Sequence, residues 1–124
     1  MRQPLIIRQL CPIGPSGNID TDLPKVKPGE MWLIREMALY NPTTTPTNAL
    51  IKVESASVEF ELYQQGNISA GAVANQQLYT LLGEGEHIRI TPGHQTTGGA
   101  LFLMLSGWLF LPEPEVITVT EVKP

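Results

Sequence analysis

Short stretches in which apolar and polar residues alternate recur along most of the chain. In the clearest stretch, Val58, Phe60 and Leu62 lie on one face of an extended segment. Glu59 and Glu61 lie on the other face. Strict alternation of this kind predicts a β-strand with one buried and one solvated face. Less regular patterns predict further strands at residues 4–10, 31–40, 49–55, 68–73, 77–82, 87–91, 100–111 and 116–122.

Turn-forming residues separate these strands, at a spacing of about 8–12 residues that is typical of all-β proteins. Gln64–Asn67 is expected to be one such turn, and Ser106–Gly107 a bulge or bend within a long strand. Residues 100–111 are apolar on both faces, which predicts a central strand covered on both sides. Many short strands without a long helical period indicate an all-β fold. The expected architecture is an antiparallel two-sheet β-sandwich, jelly-roll-like, with an extended N-terminal arm.

The first 30 residues differ in composition from the rest of the chain. Residues 11–30 contain four prolines, each of which fixes φ and removes a backbone hydrogen-bond donor. Neither a helix nor a central strand can run through such a segment. We therefore interpret residues 1–30 as an arm, residues 31–111 as the sandwich domain and residues 112–124 as a C-terminal strand or tail.

Both terminal segments carry apolar side chains that a disordered tail would not need. Such a segment either folds back on its own domain or buries its side chains on a neighbouring copy, for example by adding a strand to its sheet. Both alternatives stay open for the C-terminus, and contact with a neighbour is favoured for the N-terminus. The residues expected to contact another subunit or a partner protein are Leu5, Ile7, Leu10, Ile13, Val116 and Ile117.

The charge balance narrows the range of partners. The chain has 124 residues, with 8 Lys and Arg against 12 Asp and Glu, and a formal net charge of −4. Because phosphate binding needs clustered basic residues, nucleic acid is not expected as a partner. The apolar runs are too short for a membrane helix, so no membrane contact is expected. Charged residues make up only 16% of the chain, which favours a surface partly covered by other protein.

No combination of side chains predicts catalysis or a cofactor. His87 and His94, with Glu84 and Glu86 nearby, lack a third ligand at zinc-like spacing. His87 is therefore interpreted as a solvent-facing residue of a strand. Cys11 has no neighbouring base and is interpreted as a plain thiol. We expect a protein that is not an enzyme and has no catalytic, cofactor-binding or metal-binding residues.

Aromatic residues raise one alternative function of a different class. Aromatic side chains exposed on one sheet can stack on sugar rings, as in a carbohydrate-binding or small-ligand-binding sandwich. That alternative predicts an exposed Trp32 or Tyr63. Tyr40 and Tyr79 are further candidates, but the spacing of the four residues is irregular, and core packing explains it more simply.

Residues 31–111 contain an ordered series of short motifs at turns and strand ends. These motifs are Leu39–Thr43, Ile51–Val53, Leu62, Ile68–Gly71, Leu81–Ile88 and Leu105–Gly107. Together they resemble a pattern in small jelly-roll or β-sandwich structural proteins of tailed bacteriophages. Glu86 follows Gly85 where that pattern has an aspartate. The pattern consists of turns and includes no catalytic residues that could be transferred to this chain.

The resemblance implies a non-enzymatic structural protein of a bacteriophage virion. The expected role is capsid decoration, in which a homotrimer acts as a cement protein. It would stabilise the head through contacts between its own subunits and with the major capsid protein. A neck or tail adaptor or a fibre-anchoring protein is the alternative within the virion. Either protein would be assembled in the cytoplasm of the bacterial host.

Overall fold

The computed structural model describes residues 1–14, 19–56, 58–93 and 99–112, and these residues form eight β-strands and no helix. The strands are β1 (Arg2–Pro12), β2 (Thr21–Asp22), β3 (Met31–Tyr40), β4 (Thr47–Ser55), β5 (Val58–Ile68), β6 (Val73–Leu82), β7 (His87–Pro92) and β8 (Ala100–Phe110). Within the described residues, no helix has the length and hydrophobicity needed to cross a membrane.

The strands form two antiparallel sheets of four strands each. The first sheet has the order β1-β8-β3-β6, and the second has the order β2-β7-β4-β5. Strand β1 pairs with β8, β2 with β7, β3 with β6 and β4 with β5. This pairing is that of one long hairpin rolled up into a sandwich, which is the topology of a jelly roll. The prediction of an all-β, jelly-roll-like sandwich is confirmed.

The core fills the space between the two sheets. Alternate side chains of each strand point inward, as the two-residue period of a strand requires. The largest fully buried side chains are Val26, Ile34, Met37, Leu39, Ile51, Leu82, Ile88, Ile90, Leu101, Leu103 and Leu105. Both sheets contribute to this set, so the hydrophobic effect holds the two layers together.

The arm expected over residues 1–30 contains β1 and β2, and both strands pair with strands of the same chain. Strand β1 pairs with β8 in an unbroken register from Arg2–Phe110 to Pro12–Ala100. After β2, the chain continues along β7, and the backbone N–H of Leu23 donates to the carbonyl of Ile88 at 2.9 Å. Residues 1–30 therefore supply one edge strand to each sheet, β1 and β2, and part of the core. The domain boundaries at residues 30 and 111 stay predictions.

Two local sequence predictions are wrong. Gln64–Asn67, expected as a turn, lies inside β5. Residues 68–82, expected as two short strands, instead form a turn at Ser69–Ala72 followed by the single strand β6. Gly71 has a φ of 73°, which only glycine adopts without strain, and this places the turn before β6.

The bulge or bend expected at Ser106–Gly107 of β8 is found instead on the adjacent strand, β3. The register of β3 shifts between Ile34 and Glu36, so that Arg35 is an additional residue opposite the Ser106–Gly107 step of β8. This is a β-bulge, which bends and twists the strand that carries it. Residues 113–124 lie outside the described residues, and so does the strand expected at 116–122.

Candidate functional site

The outer face of the first sheet carries an apolar row that crosses all four strands. Leu10 of β1 pairs with Phe102 of β8, Phe102 with Tyr40 of β3, and Tyr40 with Val73 of β6. Side chains in adjacent pairs on one sheet face are about 4.5–5.5 Å apart at Cβ, so they form a continuous surface. The four side chains are between 40% and 54% exposed. We call this set the apolar row.

The apolar surface continues beyond the apolar row. Three more sets of paired residues cross the sheet beside it. The first set is Arg8, Met104, Ala38 and Asn75, and the second is Ile6, Ser106, Glu36 and Gln77. The third set, beyond the bulge, is Pro4, Trp108, Leu33 and Leu81. Met104, Ile6 and Leu81 are exposed, and charged residues on this face are few. A sheet face that stays in water normally carries polar side chains, so this composition is typical of a covered surface.

Small residues leave two shallow depressions in the middle of this face. One is lined by residues that include Ala38, Met104 and Ser106, and the other by residues that include Ile6, Ser106 and Trp108. Ser106 belongs to both. A protruding side chain of a neighbouring molecule could insert here, as large anchors do at the centre of protein interfaces.

Two arginines lie over aromatic rings at the far end of this face. The guanidinium of Arg2 is 4.4 Å from the ring centre of Trp108, and that of Arg35 is 5.8 Å from the ring centre of Tyr79. Both distances fall within the range of cation–π contacts. Arg2 and Arg35 therefore cover part of the aromatic surface while remaining at the rim.

The six residues predicted to contact another subunit do not share one face. Leu5 and Ile7 pack against the core of their own chain, and Ile13 is buried in it. Leu10 alone among the described members is exposed, as part of the apolar row. Val116 and Ile117 lie outside the described residues. Contact with a neighbour stays a prediction for these six residues.

The sequence prediction omitted the residues of β8 and β6 on this face. Phe102 and Met104 lie in the stretch that was expected to be covered on both sides, and this was the available signal. Within this chain their outer face is open to solvent. Tyr40 and Val73 gave no such signal, because nothing in their local sequence indicates that their outer face is covered.

The outer face of the second sheet is charged. Arg89 of β7 lies at its centre, with Nε 2.7 Å from Oδ1 of Asp22 and Nη2 2.8 Å from Oε2 of Glu54. Nη1 lies 3.2 Å from Oε2 of Glu59, whose other oxygen accepts from Nζ of Lys52 at 2.6 Å. The hydrogen bond that Arg89 donates lowers the pKa of the Asp22 carboxyl, and the same bond raises the pKa of Arg89.

His87 is buried, and the prediction that it faces solvent is wrong. Its ring nitrogen Nε2 lies 3.3 Å from Oδ1 of Asp22 and 3.8 Å from Oε2 of Glu54. The carboxylates considered with it in the sequence lie elsewhere, since Glu84 is exposed and Glu86 accepts from the N–H of Gly83 at 2.6 Å. His94 lies outside the described residues. Strand pairing brings Asp22 and Glu54 to His87 from distant parts of the chain.

Neither of the two residues that the sugar-binding alternative predicts to be exposed, Trp32 or Tyr63, is exposed. Trp32 is buried, with its Nε1 3.3 Å from an oxygen of Glu30. Tyr63 is half-buried, and its hydroxyl donates to Gln65 at 2.8 Å. The exposed pair, Tyr40 and Tyr79, lies toward opposite ends of the first sheet.

The side chain of Cys11, a residue of β1, is buried in the core. Burial raises the pKa of its thiol to about 11, because the thiolate would lose its solvation there. The thiol is therefore protonated at neutral pH, which agrees with its interpretation as a residue without nucleophilic function.

Comparisons with known proteins relate this chain to others through its fold. No protein-family model matches the chain, and no curated protein matches its sequence. A chain in the structure of infectious bursal disease virus, strain Gx, superposes with a TM-score of 0.54 at 10% sequence identity. The superposition covers 88% of this chain and 32% of the viral chain, so this protein spans about a third of the viral chain's length.

Two further structures superpose less closely. A chain of infectious bursal disease virus, strain Gt, gives a TM-score of 0.49 at 8% identity, covering 86% of this chain and 30% of that one. The Drosophila NLP core gives 0.43 at 11% identity, covering 83% of this chain and 97% of that one. At these identities the likeness to strain Gx shows a shared fold, and the two looser superpositions carry no argument.

Proposed function

We propose that the protein is a non-enzymatic structural component of a bacteriophage virion and acts as a capsid decoration protein. In this proposal, copies of the chain assemble into a trimer and bind the major capsid protein. The single observation that carries the proposal is the apolar row on the outer face of the first sheet. Exposure of four large apolar side chains, in register across a whole sheet, to water is unfavourable. Covering them with a partner is favourable, because it removes apolar surface from water.

The contrast between the two outer faces supports this assignment. The first sheet presents Phe102, Tyr40 and Met104, whereas the second presents Arg89 surrounded by carboxylates. A protein with one apolar face and one charged face can bind a neighbour through the first and remain soluble through the second. The jelly roll that this chain shares with a chain of a virus structure is compatible with the same role.

The mechanism of such a protein is binding energy alone. A stable interface buries on the order of 800 Å² per partner, and the apolar part of it contributes roughly 25 cal/mol for each Å². The depressions at Ser106 supply places for anchoring side chains, while Arg8 and Glu36 supply charges within the same surface that can fix the register of docking.

A matched pair of substitutions tests the face directly. Phe102→Glu introduces a charge into the apolar row, and Phe60→Glu introduces the same charge on β5 of the second sheet. The two phenylalanines are similarly exposed, at 43% and 48%. Sedimentation velocity is expected to give a trimer for the wild type and for Phe60→Glu, and a monomer for Phe102→Glu. A wild type that stays monomeric at high micromolar concentration contradicts the proposal.

The partner is tested with capsid shells that lack this protein. Wild-type protein is expected to bind hundreds of sites per shell, and Phe102→Glu far fewer. Saturation at a single ring of copies would instead indicate the neck or tail adaptor. An absence of binding to the shells would contradict the decoration role.

A further inference from the structure

His87 is an unsatisfied polar residue in a buried position. Its side chain is 6% exposed, and neither ring nitrogen has a hydrogen-bond partner among the described residues. A buried polar group without a partner destabilises the folded state, so native structures rarely keep one without a reason. Nε2 nevertheless points toward two carboxylate oxygens, at 3.3 Å from Asp22 and 3.8 Å from Glu54.

The three side chains come from three strands and meet at one point. Asp22 belongs to β2, Glu54 to β4 and His87 to β7, and their ligand atoms all lie within 4.8 Å of one another. A tetrahedral zinc ion with bonds of about 2.0–2.2 Å holds its ligand atoms roughly 3.3–3.6 Å apart. The separation of His87 and Asp22 already has this value, and a small movement of the Glu54 side chain would complete the set.

The surrounding charges favour a cation. Among the described residues, four carboxylates, those of Asp20, Asp22, Glu54 and Glu59, take part in ion pairs here with two basic residues, Lys52 and Arg89. These six residues together carry a formal charge of −2. A divalent cation would balance this excess.

Arg89 lies beside the same oxygens and does not occupy all of their bonding capacity. It donates from Nε to Oδ1 and from Nη2 to Oδ2 of Asp22, and its Nη2 also lies 2.8 Å from Oε2 of Glu54, whereas each ionised carboxylate has about four lone-pair positions. A carboxylate can therefore accept from the guanidinium and also bind an ion. In that arrangement Arg89 would orient the ligating carboxylates, as residues behind metal ligands commonly do.

We propose that Asp22, Glu54 and His87 bind one divalent transition-metal cation, of which Zn²⁺ is the best match. A neutral imidazole with two carboxylates is a donor set that Zn²⁺ accepts, and a fourth position stays open for water. The ion would tie β2, only two residues long, to β4 and β7. The site shares no residue with the apolar row, so a test of the metal site does not test the proposed function.

Zinc titration of chelator-stripped protein, followed by calorimetry, tests the site. The wild type is expected to bind one Zn²⁺ per chain and to show a melting temperature that rises with zinc concentration. Asp22→Asn, whose side chain is half exposed, is expected to weaken binding at least tenfold while the far-ultraviolet spectrum stays unchanged. His87→Gln is expected to abolish binding. Co²⁺ as a second probe is expected to give the visible absorption of a tetrahedral site.

The controls are His94→Gln and Glu84→Gln, which remove the other histidine and an exposed carboxylate outside the cluster. Both are expected to bind Zn²⁺ as the wild type does. The proposal is overturned by an absence of saturable binding, or by binding that Asp22→Asn leaves unchanged.

Discussion

Gly107 of β8 lies directly against the carbonyl oxygen of Leu33 on β3, at the bulge that Arg35 introduces. A Cβ atom at position 107 would overlap this oxygen, and backbone atoms cannot move aside as a flexible side chain can. Gly107→Ala is therefore expected to lower the free energy of unfolding by about 1–3 kcal/mol, the usual cost of overpacking. Urea denaturation measures this loss as a lower midpoint with an unchanged slope.

Gly66→Ala is the matched control for Gly107→Ala. Gly66 also lies within a strand, but a Cβ atom there would meet no atom within 4 Å. Its replacement is expected to leave stability unchanged or to raise it by roughly 0.5–1 kcal/mol, because alanine restricts the unfolded chain. Equal effects of the two substitutions would show that the close approach at Leu33 is not what constrains Gly107.

The local pattern of apolar and polar residues was sufficient to predict a strand where a single pattern covers the whole strand. Residues 31–40 were expected as a strand and form β3 with the same limits. Gln64–Asn67 failed because tertiary pairing overrode the turn preference of Gly66 and Asn67. The ladder with β4 shifts register here, pairing Ala49 with Gln65 and Thr47 with Ile68, so β5 continues through Gly66 and Asn67 as a β-bulge.

The two candidate sites depended on strand register, which no local pattern contains. The apolar row combines residues from four strands, and only the doubly apolar stretch around Phe102 indicated that an outer face would be covered. Asp22 reaches His87 through the pairing of β2 with β7, and Glu54 through the pairing of β4 with β7. The sequence alone offers His87 only neighbours along the chain, such as Glu86, as partners.

Asn41 connects the two sheets and is expected to be the most sensitive polar position outside the charged cluster. Its fully buried amide donates to the carbonyls of Thr45 and Ile68, both at 2.9 Å, and its oxygen accepts from the N–H of Thr43 at 3.0 Å. Asn41→Ala leaves these buried groups unsatisfied, so unfolding free energy should fall by about 2–4 kcal/mol. Urea denaturation measures the loss.

Asn75→Ala, at an exposed position on β6, is the control and should change stability by less than about 0.5 kcal/mol. Asn41→Asp should be at least as damaging as Asn41→Ala, because a carboxylate would face two carbonyl oxygens. A stable Asn41→Asp variant would mean that the amide donors contribute little.

The pKa of Asp22 predicts how stability responds to acid. The hydrogen bond from Arg89 lowers this pKa in the folded chain. A carboxyl with a lowered pKa stabilises the folded state above its unfolded pKa of about 3.9, and the contribution is lost as pH falls through the folded pKa. In the presence of a chelator, the melting temperature of the wild type should therefore fall more between pH 5 and about pH 2 than that of Asp22→Asn. Parallel curves would contradict the role of this ion pair.

The thiol of Cys11 is expected to be unreactive in the folded protein. Its pKa is raised to about 11 by burial, so little thiolate is present at pH 8. Ellman's reagent should modify it slowly in buffer and rapidly in denaturing urea. A Cys11→Ala, Ser69→Cys variant, with its thiol at an exposed turn, should react rapidly in both.

The raised pKa of Cys11 also affects stability. The contribution of this buried thiol to the free energy of unfolding is present below about pH 8.5 and is lost as pH rises toward 11.

Ile7 and Leu10 of β1 separate folding from assembly, because they point to opposite faces of the same strand. Ile7 packs against the core, whereas Leu10 belongs to the exposed apolar row. Ile7→Ser is expected to lower the free energy of unfolding of the dilute chain by about 1–3 kcal/mol. Leu10→Ser should change it by less than about 0.5 kcal/mol and should instead raise the concentration at which subunits dissociate in sedimentation experiments. If Leu10→Ser assembles like the wild type, β1 does not contribute to the proposed interface. Deletion of all of β1 is a poorer test, because it would also remove an edge strand of the first sheet.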